Sequence, residues 1–284
     1  MIIVVLVLAG LVLGSFVNAL VWRFHAQSEK AGGQHKTLSH EQLSMLKGRS
    51  MCSNCHHELA PKDLVPLLSW LYLRGKCRYC KKPIQDSPFI ELSLPILFAV
   101  SYLAWPVALH GVGLYDFVFW LIFLTGFVAL AAYDFRWYLL PDRIVFPLIG
   151  LAATQFIGRE VVFGFSWHDL LSVVWGVLIA SGIFYVLFQV SKGTWIGGGD
   201  VKLGILLGIL VGGPTHALLL LFLASLLGTV IALPLMATGR AHMTSKLPFG
   251  PYLLAATVLV VLFGDSFIRW YYSWIDALVN TLMV

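Results

Sequence analysis

Residues 2–22, IIVVLVLAGLVLGSFVNALVW, carry no charge and match the about 17–25 apolar residues that take a helix across a bilayer core. The stretch lacks the basic n-region and small-x-small cleavage site of a secretory signal, so it is expected to be retained as an anchor. Outward from it, apolar segments recur at 89–109, 117–133, 144–157, 170–190, 201–212, 217–237 and 252–264. The pattern predicts an all-α polytopic membrane protein of about eight transmembrane helices, with the fourth, sixth and eighth segments short for a crossing. Composition agrees. Of 284 residues, 59% are hydrophobic and 12% charged, whereas soluble domains carry roughly 25% charged residues.

The formal charge of +5 is uneven, because 11 of the 19 Lys and Arg lie between Arg23 and Lys82. Basic residues near membrane ends mark the cytoplasmic side, so this is a cytoplasmic loop rather than a nucleic-acid face, and no nucleic-acid partner is expected. Eight crossings then put both termini outside and the loops at 134–143, 191–200 and 238–249 inside. Those loops carry Arg136, Arg143, Lys192, Arg240 and Lys246, leaving only Arg159 and Arg269 outside. The expected organisation is a first transmembrane helix over 1–22, a cytoplasmic loop over 23–88 and a membrane core over 89–284. Residues 26–47 are polar and suggest a flexible or partly helical lead-in without legible chemistry.

All four cysteines fall in two knuckles, Cys52-Ser-Asn-Cys55 and Cys77-Arg-Tyr-Cys80. Two Cys-x-x-Cys turns at this separation are a zinc pattern, since each presents two thiolates on one side of a tight turn and two turns complete a tetrahedron. Disulfides would need an oxidising compartment, which the loop's charge argues against. A closed shell of Cys52, Cys55, Cys77 and Cys80 leaves no open position, so the zinc is expected to be structural. His56 and His57, beside Cys55, are expected to be solvated.

Ionisable groups at bilayer depth are costly and default to functional hypotheses. Asp134 closes an apolar segment, where the helix macrodipole disfavours negative charge, and Arg136 stands near as a structural partner. Asp142 follows Pro141 and is expected to cap the helix that begins there. Asp200 follows Gly197, Gly198 and Gly199, where a capping role competes with a chemical one. Three glycines permit close backbone approach and positive φ, which a site handling an extended peptide would use. Lys202 is expected to face phosphate headgroups, and Gly204, Gly208 and Gly212 to form a small-residue packing face.

In order along the chain, GSFVNALVWR (14–23), SMCSNC (50–55), PLLSWLYLRGKCRYC (66–80), AYDFRWYLLPD (132–142), IGGGDVKL (196–203) and LPFGPY (247–252) resemble the prepilin leader peptidases of type IV pilus and type II secretion systems. These are Gly-x-Gly-Asp aspartic membrane peptidases, and the resemblance spans nearly the whole chain. Departures are Ser53, where a proline is common after the first knuckle cysteine, and Phe24-His25, where Leu-Pro is common; residues 274–284 look like an extension.

The resemblance implies an endopeptidase of the prokaryotic cytoplasmic membrane that removes the short basic leader of prepilins and pseudopilins after a glycine. Asp134 and Asp200 would be its catalytic pair, Gly197, Gly198 and Gly199 would lie along the substrate backbone, and zinc would sit in the loop. Many members also methylate the new N-terminus with S-adenosylmethionine, for which no glycine fingerprint is visible here. Glu91 resembles a family glutamate, although helix-start electrostatics also explain it. A proton-coupled transporter built on membrane carboxylates is the alternative. The motifs leave oligomeric state open.

Overall fold

The computed structural model describes residues 1–31, 43–44, 48–84, 88–239 and 247–282. It is helical throughout: α1 (Ile2–Ala31), α2 (Leu68–Tyr72), α3 (Pro88–Ala104), α4 (Val112–Trp137), α5 (Asp142–Phe163), α6 (Trp167–Ser191), α7 (Gly198–Val211), α8 (Pro214–Ala237) and α9 (Gly250–Leu282). Among the described residues, six helices are long and apolar enough to cross a membrane, namely α1, α4, α5, α6, α8 and α9. The chain is a multi-pass membrane protein. Most of the expected lead-in at 26–47 lies outside the described residues, as do Arg240 and Lys246 of the expected inner loop.

Every expected apolar segment is a helix, but the lengths redistribute. The fourth and eighth segments belong to helices of 22 and 33 residues. Their polar residues end the hydropathy signal without ending the hydrogen-bonded ladder. In α5, Gln155 donates to Asp116 at 2.9 Å, and the Glu160 carboxylate accepts the Ser166 N–H at 2.8 Å. The second segment is shorter than expected. It stops at Ala104, one residue before the Trp105-Pro106 pair, where proline pushes its predecessor out of the α region. The sixth segment is short, as expected, at 14 residues.

Two compact units form, residues 1–103 with 121–132 and residues 104–120 with 133–284. In the first, α1 and α3 approach through glycine. A Cβ on Gly10 would lie 2.6 Å from the Pro95 backbone, and one on Gly14 would lie 2.8 Å from that of Glu91. Such small-residue faces let membrane helices touch where lipid supplies no hydrophobic drive between them.

In the second unit, α7 packs against α5, α6, α8 and α9. Leu203, Leu206 and Leu207 are fully buried there. The expected small-residue face splits in two. Cβ atoms on Gly204 and Gly208 would come within 2.7 and 2.5 Å of α6 backbone, whereas Gly212 meets nothing and ends the helix at φ +71°.

Candidate active site and metal centre

The carboxylate site is made from helix ends of the second unit. α4 stops where Tyr138 turns left-handed at φ +55° and donates its N–H to the Asp134 carbonyl at 2.8 Å. Leu140 precedes Pro141 and leaves the helix, and α5 starts at Asp142. This turn leaves Asp134 in the last turn of α4 with only 6% of its surface exposed.

The macrodipole of α4 disfavours a carboxylate there, and another helix compensates. The Asp134 carboxylate accepts the backbone N–H of Gly250, the first residue of α9, so it meets the positive end of that helix. A Cβ on Gly250 would lie 2.6 Å from Asp134 Oδ2, so only glycine admits the carboxylate. Arg136, considered as a partner, has its guanidinium 5.9 Å from the Trp137 ring.

Asp200 stands in the first turn of α7. Its carboxylate accepts the Gly197 N–H while its own N–H reaches the Gly197 carbonyl at 3.1 Å, a reciprocal arrangement of the capping-box kind. The capping reading of Asp200 is therefore correct as far as it goes, and it also fixes where the carboxylate points. Asp134 lies within electrostatic range of it.

Of the two properties expected of the glycine run, close approach is present and positive φ is not. None of Gly197, Gly198 and Gly199 takes positive φ, and Gly197 is extended at φ −76°, ψ 148°. Close approach is what needs glycine here, since a Cβ on Gly199 would stand 3.1 Å from Leu140 Cβ. Leu140 also borders Gly250. One side chain thus touches both helix starts that serve the two aspartates.

Two expectations for neighbouring residues are corrected. Asp142 is the first residue of α5 rather than the cap before it, and its carboxylate pairs with Lys202, which was expected to face headgroups. Lys202 Nζ donates to both Asp142 oxygens, at 2.7 and 2.9 Å, and lies 5.3 Å from the Phe146 ring. Packing of α5 on α7 brings them together, a pairing that spacing along the chain cannot signal. Gly250 also escaped sequence reasoning as a site residue; its signal was a Phe-Gly-Pro that opens an apolar run, the mark of a helix start with free N–H groups.

In the first unit, Cys52, Cys55, Cys77 and Cys80 bring four sulfurs within 4.8 Å of one another, with Cys52 Sγ 4.0 Å from Cys80 Sγ. Tetrahedral zinc with bonds of about 2.3 Å sets sulfurs about 3.8 Å apart, so the four thiols fit one ion. The knuckles repeat each other. Cys52 and Cys77 donate N–H groups to the His57 and Lys82 carbonyls and accept from the His56 and Lys81 N–H groups, with His56 and Lys81 at φ 56° and 60°. His57 is exposed, as expected, and its ring lies 3.8 Å from that of Tyr79, tilted by 42°.

Without metal the cysteines are unequal. Burial pushes the Cys52 thiol up to about 12. Burial also acts against ionisation of Cys77, yet backbone N–H groups of Cys80 and Tyr79 outweigh it and hold that thiol at about 7.

Charged contacts tie this loop down. The Asp63 side chain, 2% exposed, takes a 2.8 Å bond from Arg78 Nε; burial alone would raise its pKa, and the guanidinium instead holds it below the usual carboxylate range. Arg23 donates to the Ser44 and Gly48 carbonyls at 3.1 and 2.8 Å. Glu91 accepts the Leu67 N–H at 2.8 Å, a role beyond its own helix start. A cavity of about 110 Å³ lies among these groups, lined by Asn18, Trp22, Arg23, Trp70 and Glu91.

Comparisons with known proteins cover nearly all of the chain. The model of the bacterial peptidase A24 N-terminal domain matches residues 8–105, and that of the type IV leader peptidase family matches residues 121–233. The prepilin leader peptidase/N-methyltransferase of Pseudomonas aeruginosa is 31% identical over 276 residues, 93% of this chain and 91% of the relative. The protein of the same name from Bacillus subtilis is 31% identical over 270 residues, 94% of this chain and 96% of the relative. The Aeromonas salmonicida relative, again of that name, is 29% identical, with 94% and 92% covered. No solved structure matches.

Proposed function

Because the chain belongs to the type IV leader peptidase family, we propose that it is an aspartic endopeptidase that removes the short basic leader of prepilins and pseudopilins. Cleavage follows a glycine at the cytoplasmic face of the prokaryotic cytoplasmic membrane. The observation that carries the reading is the convergence of Asp134 and Asp200 around Leu140, which borders both Gly199, beside Asp200, and Gly250, against the Asp134 carboxylate, with the two aspartates within electrostatic range of each other.

Two adjacent carboxylates do not ionise equally. The ionised one takes a proton from water as the water oxygen bonds to the scissile carbonyl carbon. The protonated one gives its proton to the carbonyl oxygen. When the tetrahedral adduct collapses, the C–N bond breaks, the amine leaves with a proton returned from the first carboxyl, and the second carboxylate takes a proton back from a hydroxyl of the adduct as the C=O re-forms. One water is consumed and the pair is reset. Gly197, Gly198 and Gly199 leave room for an extended substrate backbone beside Asp200, and the Lys202–Asp142 pair positions α7 against α5.

Eight crossings accommodate this chemistry, with α3 and α7 as the two shorter ones. At 1.5 Å per residue α7 spans about 21 Å, less than the about 30 Å hydrocarbon core. It packs against four neighbouring helices, α5, α6, α8 and α9, so a short helix there is enclosed by protein rather than by lipid alone. Both aspartates then stand at the inner face together with the 23–88 loop. The division into residues 1–22, 23–88 and 89–284 belongs to the same proposal, although α1 itself continues to Ala31.

Cys52, Cys55, Cys77 and Cys80 would hold one structural zinc, which cross-links the two knuckles. The methyl donor implied by the relatives' name is S-adenosylmethionine, which would supply the methyl group for the new N-terminus. The 110 Å³ cavity is smaller than the about 300–1,000 Å³ of ligand pockets, so no residue is assigned to that donor.

The test is cleavage of a prepilin-like peptide by purified, reconstituted protein. Asp134→Asn and Asp200→Asn should each lower the rate by about 10²- to 10⁴-fold with thermal unfolding unchanged. Full cleavage by either folded variant would refute the assignment.

A further inference from the structure

The zinc-type loop exposes an apolar face that its own fold leaves uncovered. α2 buries none of its residues, and Leu68, Leu71 and Tyr72 are 65%, 63% and 78% exposed, continuing a surface begun by Leu64 and Val65. Lys62, Arg74, Lys76, Lys81 and Lys82 are all exposed in the same stretch. The acid of that stretch, Asp63, is buried against Arg78. Apolar and basic groups side by side, with no exposed acid among them, are the composition of a surface that lies on anionic lipid.

Position supports the same occupant. The Leu67 N–H at the head of α2 is held by Glu91 at 2.8 Å, and Glu91 is in the first turn of α3. Phe89, two residues before it, is 78% exposed. The apolar face is therefore fastened to the point where α3 would enter the bilayer. The chain leading into the loop is tied to α1 by Arg23, which donates to the Ser44 and Gly48 carbonyls.

We propose that the α2 face, Leu64, Val65, Leu68, Leu71 and Tyr72, docks into the headgroup region of the cytoplasmic leaflet, with the surrounding lysines and Arg74 on anionic phosphates. A basic peptide leader is repelled by those cations, so lipid rather than substrate is the occupant. Each cation near a negative leaflet adds attraction that decays within a Debye length. Docking would hold the loop at a fixed height above the membrane. The inference rests on membrane crossing by α3 and not on the peptidase chemistry.

The experiment uses the full chain in nanodiscs of phosphatidylcholine alone or with phosphatidylglycerol. The photo-crosslinker p-benzoylphenylalanine replaces Leu71, Tyr72, Phe89 or, as an exposed control, Glu58. Intact mass spectrometry reads lipid adducts, and retained metal reports an intact loop. Leu71 and Tyr72 should label lipid at least fivefold more than Glu58. Adding phosphatidylglycerol should raise that yield at least threefold, and Lys62→Gln with Lys81→Gln and Lys82→Gln should remove the rise. Labelling at Phe89 without labelling at Leu71 or Tyr72 would overturn the docking while leaving the crossing intact. Failure at Phe89 as well would overturn the crossing beneath it. Adducts to protein in place of lipid, or yields indifferent to phosphatidylglycerol, would also defeat the proposal.

Discussion

The four-cysteine cluster and the aspartate pair both gather groups distant in the chain, but they do so by opposite means. The sulfurs come from two copies of one short turn, each closed by its own backbone bonds between Cys52 and His57 or Cys77 and Lys82. The carboxylates come from the last turn of α4 and the first turn of α7, and a third helix terminus, the start of α9 at Gly250, completes the site. A site built from a repeated turn carries its geometry locally, so it depends on its ligand. A site built from helix ends takes its geometry from packing, so it can lose its chemistry without losing its fold.

This contrast is open to breakage at several points. The largest effect is expected at the cysteines. Cys52→Ser or Cys77→Ser should take bound zinc from about one equivalent to none, because metal binding and folding are one free energy in such loops. Limited proteolysis should then cut within residues 48–84, while the helical core unfolds at an unchanged temperature. An intact, protease-resistant loop without metal would erase the distinction between the two sites.

Gly250→Ala comes next. The added Cβ, 2.6 Å from Asp134 Oδ2, must displace the carboxylate, and a shift of this order in a reacting group costs about 10²-fold in rate. Peptide cleavage should fall by about that factor with zinc content unaffected. Normal cleavage would mean that the α9 start does not aim Asp134.

A smaller effect is expected at Asp63. Its folded pKa is depressed, so the Arg78 bond contributes fully above the unfolded value of about 3.9 and is lost as pH falls through the folded value. Asp63→Asn should weaken the loop by about 1–2 kcal/mol at neutral pH, reduced by the partial exposure of Arg78. Hydrogen exchange in residues 61–84 should lose its acid dependence in that variant, and an undiminished dependence would point to another group. The smallest effect belongs to the half-exposed Lys202–Asp142 pair. Asp142→Asn should cost less than about 1 kcal/mol of stability, and exchanging the two residues should restore it. A loss of several kcal/mol would mean that the pair is a structural anchor.

The same difference in construction governs what could be read from residues alone. Cysteine spacing announced the four-thiol cluster, because the turn that orients two thiols is itself encoded within four residues. Charge and hydropathy found each apolar helix, of which six are long enough to cross a membrane, but α5 and α9 extend past their apolar runs because hydrogen bonding ignores hydropathy. Asp134 and Asp200 could be singled out by the expense of placing carboxylates there. Their partners could not. Gly250 meets Asp134, and Lys202 meets Asp142, only after α9 and α7 pack, and no periodicity within one helix reports which neighbour it will have. The glycine run was singled out for close approach and positive φ, and the packed chain uses the first, with Leu140 lying against Gly199.

The central claim is that Asp134 and Asp200 act as one unit, and the direct measurement is a double-mutant cycle on reconstituted protein. Rates of leader removal would be compared for the parent, Asp134→Asn, Asp200→Asn and the double variant, with zinc content and unfolding temperature held as controls. Groups that share one catalytic step are strongly non-additive. The account predicts that either single change costs nearly as much as both together, with all four proteins equally folded. Losses that multiply independently, or a single variant that retains cleavage, would contradict it.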